Sequence, residues 1–112
     1  MEKLNKIYEE WVKLNKELFQ ESEDYIKECL SIPIGNSISL DECNVCVTYD
    51  GGNHPEYYAN PFSDVERVYL KNGKVYVDTE DCAQYDIDNI TASELFDIAE
   101  SVGYIIGKEY EK

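Results

Sequence analysis

The sequence has few basic residues, one histidine and no long apolar run. Each of these shortages excludes some classes of ligand or site. Its 10 lysines and arginines stand against 24 acids, so the 112 residues carry a formal net charge of −14. Such a charge repels phosphate backbones and anionic lipids, and we expect neither nucleic acid nor membrane as a direct ligand. No apolar stretch approaches the roughly 18 residues of a membrane span, and residues 1–4 lack the order of a secretion signal. We therefore predict a cytoplasmic protein.

Residues that commonly carry catalysis or bind metals are also scarce. His54 is the only histidine, and because no nucleophile motif lies near it we predict no catalytic residue and no enzymatic activity. The four cysteines are Cys29, Cys43, Cys46 and Cys82, and without a secretion signal we expect free thiols. Residues three apart on a strand point to opposite faces, and a second close cysteine pair is absent. No metal and no cofactor is therefore predicted.

The length and the 43% hydrophobic content predict a single α+β domain over residues 1–112. Apolar residues spaced by three and four line one side of the first 30 residues, which indicates an amphipathic helix. Polar residues interrupt this stripe, so the segment is either one helix or two shorter helices that meet near Ser22. The bulk of Trp11 and Phe19 favours packing on a sheet over a narrow two-stranded coiled coil.

Three antiparallel strands are predicted next. Alternation over residues 43–49 indicates a first strand with Val45 and Val47 on one face, and a long loop rich in turn formers follows it. The pair Asn72-Gly73 tolerates the positive φ angles of a type I′ turn and predicts a hairpin between residues 65–71 and 74–79. Counting outward from the turn predicts these opposed pairs: Lys71 with Lys74, Leu70 with Val75, Tyr69 with Tyr76, Val68 with Val77, and Arg67 with Asp78.

A second helix is predicted to start after Thr91, because Thr91 and Glu94 have the spacing of a capping box. Its apolar stripe includes Leu95, Ile98 and Val102. We expect it to end at Gly103 with a short strand after it, and the alternative is a helix that continues through Gly103.

Acidic and aromatic residues form the candidate partner-binding surface. No base lies between Lys74 and Lys108, and the eight acids of that stretch could face a basic partner or serve only solubility. The 10 tyrosines are numerous for this length, and tyrosine suits interfaces because it offers much contact area at little entropic cost. The alternative for the loop aromatics is that they cover the sheet. The candidate residues are Tyr57, Tyr58, Tyr69, Tyr76, Asp81, Asp86, Asp88, Asp97 and Glu100.

The runs Val68 to Thr79 and Tyr85 to Thr91, followed by Glu94 and Leu95, resemble small acidic proteins carried on bacterial mobile elements. The resemblance covers the C-terminal half and implies no activity. It implies a setting similar to that of proteins that block host defences, some of which mimic DNA by displaying carboxylates.

Two functional hypotheses follow from the sequence. The first is a non-enzymatic acidic protein-binding module, of the inhibitor or DNA-mimic kind, that engages a basic surface of a partner protein. The second is a small oligomerising accessory domain, in which Trp11, Phe19 and the Tyr69 and Tyr76 face pair two copies as a homodimer. A zinc- or thiol-dependent enzyme is the least favoured alternative.

Overall fold

A computed structural model describes residues 1–48, 62–80 and 84–110 of the chain. Two α-helices and an antiparallel sheet make up these residues, which is the predicted α+β class. No helix among them is long and apolar enough to span a membrane. The elements are α1 (Glu2–Leu30), β1 (Ser37–Ser39), β2 (Cys46–Thr48), β3 (Phe62–Lys71), β4 (Lys74–Thr79), β5 (Tyr85–Asp86), a 3₁₀ turn (Ile87–Asn89) and α2 (Ala92–Glu109).

The helix α1 is continuous over 29 residues, so the alternative of two helices meeting near Ser22 is wrong. The polar segment that suggested a break bonds to itself along the helix: the Gln20 side-chain amide donates to Asp24 at 3.0 Å, and Lys27 pairs with Glu23 at 3.9 Å. Pairs three and four residues apart stabilise a helix, and Ser22 itself is buried. The polar residues therefore interrupt the apolar stripe without ending the helix.

Within residues 1–48, 62–80 and 84–110 the sheet contains five strands, so the predicted count of three is wrong. The strand order is β1-β3-β4-β5, and β2 pairs with the N-terminal part of β3. The ten residues of β3 are long enough to hold β1 and β2 in succession along one edge, separated by a turn in which Asn44 has φ +53°. Strands of two or three residues carry too little alternation to be recognised in sequence.

Strands β3 and β4 pair antiparallel around Asn72 and Gly73, whose φ angles are +54° and +76°. Lys71 lies opposite Lys74, and the pairing runs to Val65 opposite Thr79. A register shift between Val65 and Arg67 adds a residue to β3. Because of this bulge Val65 and Val68, three apart, are both buried, which strict alternation forbids.

The helix α2 extends to Glu109, so the predicted end at Gly103 and the strand after it are wrong. Ile105 and Ile106 are buried and continue the apolar stripe at helical spacing past the glycine. A Cβ at Gly103 would overlap the Tyr25 hydroxyl, so the glycine permits a close approach of α1 instead of ending α2. The predicted capping box is confirmed, because Thr91 and Glu94 exchange side-chain to backbone bonds.

The core lies where the two helices cover the sheet, and it uses only the last third of α1. Ile26 and Leu30 are fully buried with the inward residues of β3, β4 and α2. The expectation that Trp11 packs on the sheet is wrong, because its side chain remains 58% exposed. Phe19 is partly buried against the core. The first half of α1 therefore lies outside the packed core, although Trp11 and Asn15 line a groove with Thr91 and Ala92 at the start of α2.

Two isoleucines of α1 provide a matched test of this division. Ile26 is 0% exposed and Ile7 is 53% exposed. Ile26→Ala should lower the free energy of unfolding by about 2–5 kcal/mol through the cavity it leaves. Ile7→Ala should change it by about 0.5 kcal/mol or less. Urea unfolding at low protein concentration measures both, and equal losses would contradict the described packing.

Candidate interaction surfaces

Two of the predicted acidic site residues are occupied within the chain. The Lys74 ammonium lies 3.2 Å from Asp86 Oδ2 and 3.7 Å from Asp88 Oδ2. Asp86 also accepts the backbone N–H of Asp88 at 2.9 Å, which caps the 3₁₀ turn. This bond first, and then Lys74, lowers the pKa of Asp86, while the bond to Asp86 raises the pKa of Lys74. These two carboxylates are therefore partly neutralised.

Two other acids of the same stretch accept hydrogen bonds from backbone N–H groups. Asp78 accepts the N–H of Gln84 at 2.8 Å. Glu94 accepts the N–H of Thr48 at 2.6 Å as well as that of Thr91, so one carboxylate joins β2 to the start of α2. Four of the eight acids thus have internal roles, and the acidic half does not present all its charge outward.

Asp97 and Glu100 remain as exposed acids on α2. They lie three residues apart on one side of the helix and line a groove together with Cys43, Cys46 and the turn between them. No cation of the described chain pairs with either carboxylate. Asp81, the remaining candidate acid, lies outside the described residues.

The candidate tyrosines divide in the same way. Tyr69 and Tyr76 oppose each other on the hairpin and stack, with ring centroids 5.7 Å apart and an interplanar angle of 23°. Burial, and then the nearby Asp78, raise the pKa of Tyr69 to about 12. Both rings are half-buried, so each already uses part of its surface on the other. Tyr57 and Tyr58 lie outside the described residues.

The described cysteines are free thiols in three different environments: Cys29 is buried, Cys43 half-buried and Cys46 exposed. The Cys46 thiol donates a hydrogen bond to Asp64 at 2.9 Å. This hydrogen bond is the main reason that the pKa of Cys46 is raised. A raised pKa leaves less thiolate at neutral pH, which does not favour nucleophilic chemistry. No cluster of three metal-binding side chains occurs within residues 1–48, 62–80 and 84–110. Cys82 and His54 lie outside those ranges.

An exposed apolar surface runs along α1, and of its residues the sequence interpretation places only Trp11 in a contact between copies. Five side chains between residues 4 and 18 of α1 lie on one side of the helix and are exposed, and we call them the α1 seam. They are Leu4, Ile7, Trp11, Leu14 and Leu18. Their spacing was visible in the sequence, but the sequence did not show how far α2 and the sheet reach along α1.

The α1 seam continues into an apolar groove between the helices. The groove has a volume of about 390 Å³, and Leu18, Tyr25 and Phe96 form its apolar wall. Tyr25 and Phe96 are themselves more than one-third exposed. The exposed apolar surface therefore runs from the free end of α1 to the body.

The net charge of the chain is unevenly distributed between the segment that carries the α1 seam and the rest of the chain. Residues 1–18 hold four acids and four bases, so their formal charge is zero. Residues 19–112 hold the other 20 acids and six bases, and therefore the whole net charge of −14. The α1 seam thus lies on a neutral segment attached to an acidic body.

The ion pairs of Lys74 lead to a prediction about acid stability. The folded pKa of Asp86 lies below its ordinary value of 3.8, so its contribution to stability is present above about pH 4 and lost as pH falls through the lowered folded value. Lys74→Met should move the pKa of Asp86 upward and reduce that acid-side loss. Lys71→Met, which removes the lysine on the opposite strand, should leave it unchanged. Carboxyl NMR titration of the two variants measures the difference, and equal shifts would contradict the assignment.

Two candidate surfaces remain on the described chain, one apolar and one acidic. The apolar surface is the α1 seam, which is exposed on the segment whose net charge is zero. The acidic surface is the pair Asp97 and Glu100 on the body. Comparison of the chain with protein families, with curated proteins and with solved structures finds no match.

Proposed function

We propose that this chain is a non-enzymatic, self-associating interaction domain whose copies pair through the α1 seam. The observation that supports it is the exposure of five large apolar side chains on one side of a helix, beyond the part that the core holds. Contiguous apolar surface of this kind is uncommon on monomers and is typical of interaction sites. Of the oligomerising hypothesis of the sequence, which used Trp11, Phe19 and the Tyr69 and Tyr76 face, the proposal keeps Trp11. Phe19 packs against the core, and Tyr69 and Tyr76 stack on each other away from the seam.

A second copy fits this surface better than other partners because the segment is neutral. Two bodies of charge −14 repel each other, so contact through the acidic surface is unfavourable for a homodimer. The four acids and four bases of residues 1–18 remove this penalty at the end of the molecule. The apolar spacing is also self-complementary, since two identical helices offer each other the same ridge.

The expected dimer is weak and reversible. Burying each half-exposed seam side chain contributes about 1 kcal/mol, hence on the order of 10 kcal/mol for both copies. Association costs about 4–15 kcal/mol in lost freedom. The two estimates are of similar size, so we expect dissociation constants in the micromolar range or weaker.

The test is the mass of the particle as a function of concentration. Light scattering should show a monomer at low concentration and a dimer at high concentration. Trp11 is the only tryptophan, so its fluorescence emission should shift to shorter wavelength as the dimer forms. Leu14→Asp should abolish both changes, because it places a charge in the buried seam.

Ile34→Asp is the matched control, since Ile34 is fully exposed in the turn after α1 and lies off the seam. It should leave the mass curve unchanged. A wild-type chain that stays monomeric at every concentration would overturn self-association. The α1 seam would then be a binding surface for a different protein.

A second candidate function is recognition of a basic protein surface by the acidic body, as an inhibitor of the kind that mobile elements carry. The exposure of Asp97 and Glu100 side by side on α2, without a cation partner in the described chain, favours it. Asp86 and Asp88 contribute less, because Lys74 lies beside both. Charges at such a surface mainly accelerate association.

This candidate predicts a local charge effect. Asp97→Lys with Glu100→Lys should slow association with a decalysine peptide, and the binding should weaken as salt rises because the charges are exposed. Glu2→Lys with Glu9→Lys changes the net charge equally on the free end of α1 and should have little effect. Stopped-flow fluorescence measures both pairs. If the two pairs slow association equally, only net charge acts and no acidic recognition surface exists.

A further inference from the structure

The spacing of the α1 seam specifies more than association. Leu4, Ile7, Trp11, Leu14 and Leu18 follow alternating steps of three and four residues, which is the heptad repeat of helices that pair in coiled coils. In this repeat Leu4, Trp11 and Leu18 occupy one core position, and Ile7 and Leu14 occupy the other.

We infer that two copies pair their α1 helices antiparallel, in the register that sets Leu4 against Leu14 of the second copy and Trp11 against Ile7. This inference rests on the self-association proposed above and adds the orientation and the register. Three features of the chain select it: side-chain volume, the charges beside the seam, and the charge of the bodies.

The volume of the core side chains disfavours a parallel pair of α1 helices. Two identical parallel helices place each core residue against its own copy, so both Trp11 indoles would share one layer. The antiparallel arrangement sets the large indole against the smaller Ile7 side chain. Alternating large and small side chains across an interface allows the layers to interdigitate.

The charged residues beside the seam select the register. Lys3, Glu10 and Glu17 each immediately precede a core residue, and none of them forms an ion pair within the described residues. In an antiparallel pair these flanking positions face each other across the seam. The inferred register brings Lys3 of each copy near Glu17 of the other, which makes two contacts between opposite charges. It also sets the two Glu10 side chains opposite each other at the solvent-exposed centre, which makes one contact between like charges.

The competing arrangements lack this complementarity or pair less of the seam. A shift by one heptad that sets Leu4 against Ile7 brings Lys3 of each copy near Glu10 of the other, but it leaves Trp11 and Leu14 without a facing core residue. The opposite shift, which sets Trp11 against Leu14, brings Glu10 of each copy near Glu17 of the other. A parallel pair places Lys3 beside Tyr8 of the second copy and forms no pair of opposite charges. Flanking charges set orientation and partner choice in paired helices, so the like charges of the opposite shift count against it, and the parallel pair gains no contact between opposite charges.

The acidic bodies favour the same orientation. A parallel pair would hold two bodies of charge −14 side by side. The antiparallel pair places them at opposite ends of the shared segment, which from Leu4 to Leu18 is roughly 21 Å long at 1.5 Å per residue. That distance exceeds the screening length of about 8 Å at physiological salt, so most of the repulsion is removed.

The groove beside α2 completes the contact. In the inferred register the first turn of the second copy lies against residues 14–18 and reaches the groove lined by Leu18, Tyr25 and Phe96. The helix of the second copy would cover apolar surface that the body leaves exposed.

Disulfide cross-linking tests the register in the full chain. Leu4→Cys and Leu14→Cys are made separately in a background with serine at Cys43, Cys46 and Cys82; Cys29 is buried and is kept. On mild oxidation an equal mixture should form a covalent dimer that joins position 4 to position 14, identified by peptide mass. Neither variant alone should cross-link. Light scattering of each variant verifies that the dimer is present.

The failures are distinguishable. Leu4→Cys cross-linking to itself would show a parallel pair and overturn this inference while the proposed function stands. A dimer that gives no cross-link in the mixture would also overturn the register. If the wild-type chain forms no dimer at any concentration, the proposed function itself is overturned.

A charge exchange tests the same register without cysteines. Lys3→Glu and Glu17→Lys should each raise the dissociation constant by about threefold to tenfold, because each creates two like-charge contacts. The double variant should restore wild-type affinity, and Lys6→Glu, on the side away from the seam, should leave it unchanged. Sedimentation equilibrium measures all four. Additive losses in the double variant would mean that the two positions do not meet and would overturn the inference.

Discussion

Ile26 and Leu30 hold the end of α1 against α2 and the sheet, and the arrangement of the other elements depends on this contact. Both side chains are fully buried, and α1 contacts α2, β3 and β4. Tyr25 lies close to α2 at Gly103, which has no side chain to obstruct it. The body is therefore assembled on roughly the last third of a helix that is much longer than the body requires.

This excess length gives the molecule its two surfaces. The core fixes the end of α1, and helix propagation from a formed turn costs little, so the helix extends outward without further packing. The part beyond the body is apolar along one side and neutral in charge, whereas the body is strongly acidic. The proposed association through the neutral end and the repulsion between the bodies are then compatible, because they would act at different places.

The acidic body is less uniform than its composition suggests. Lys74 lies beside two carboxylates, and two more carboxylates accept backbone N–H bonds at the end of β4 and at the start of α2. A count of acids in the sequence could not separate these from Asp97 and Glu100, because every carboxylate contributes equally to net charge. The tyrosine pair on the hairpin likewise uses part of its area within the fold.

Local chemistry in the sequence determined the amphipathic helix of the first 30 residues and the capping box at Thr91, since each depends on residues within a few positions of each other. The same apolar spacing in α1, however, allows burial in a core or exposure on a surface. Only the tertiary structure decided between them, because the length of α2 and of β3 sets how much of α1 is covered. The continuation of α2 through Gly103 and the strands beside β3 were decided in the same way, by neighbours distant in the chain.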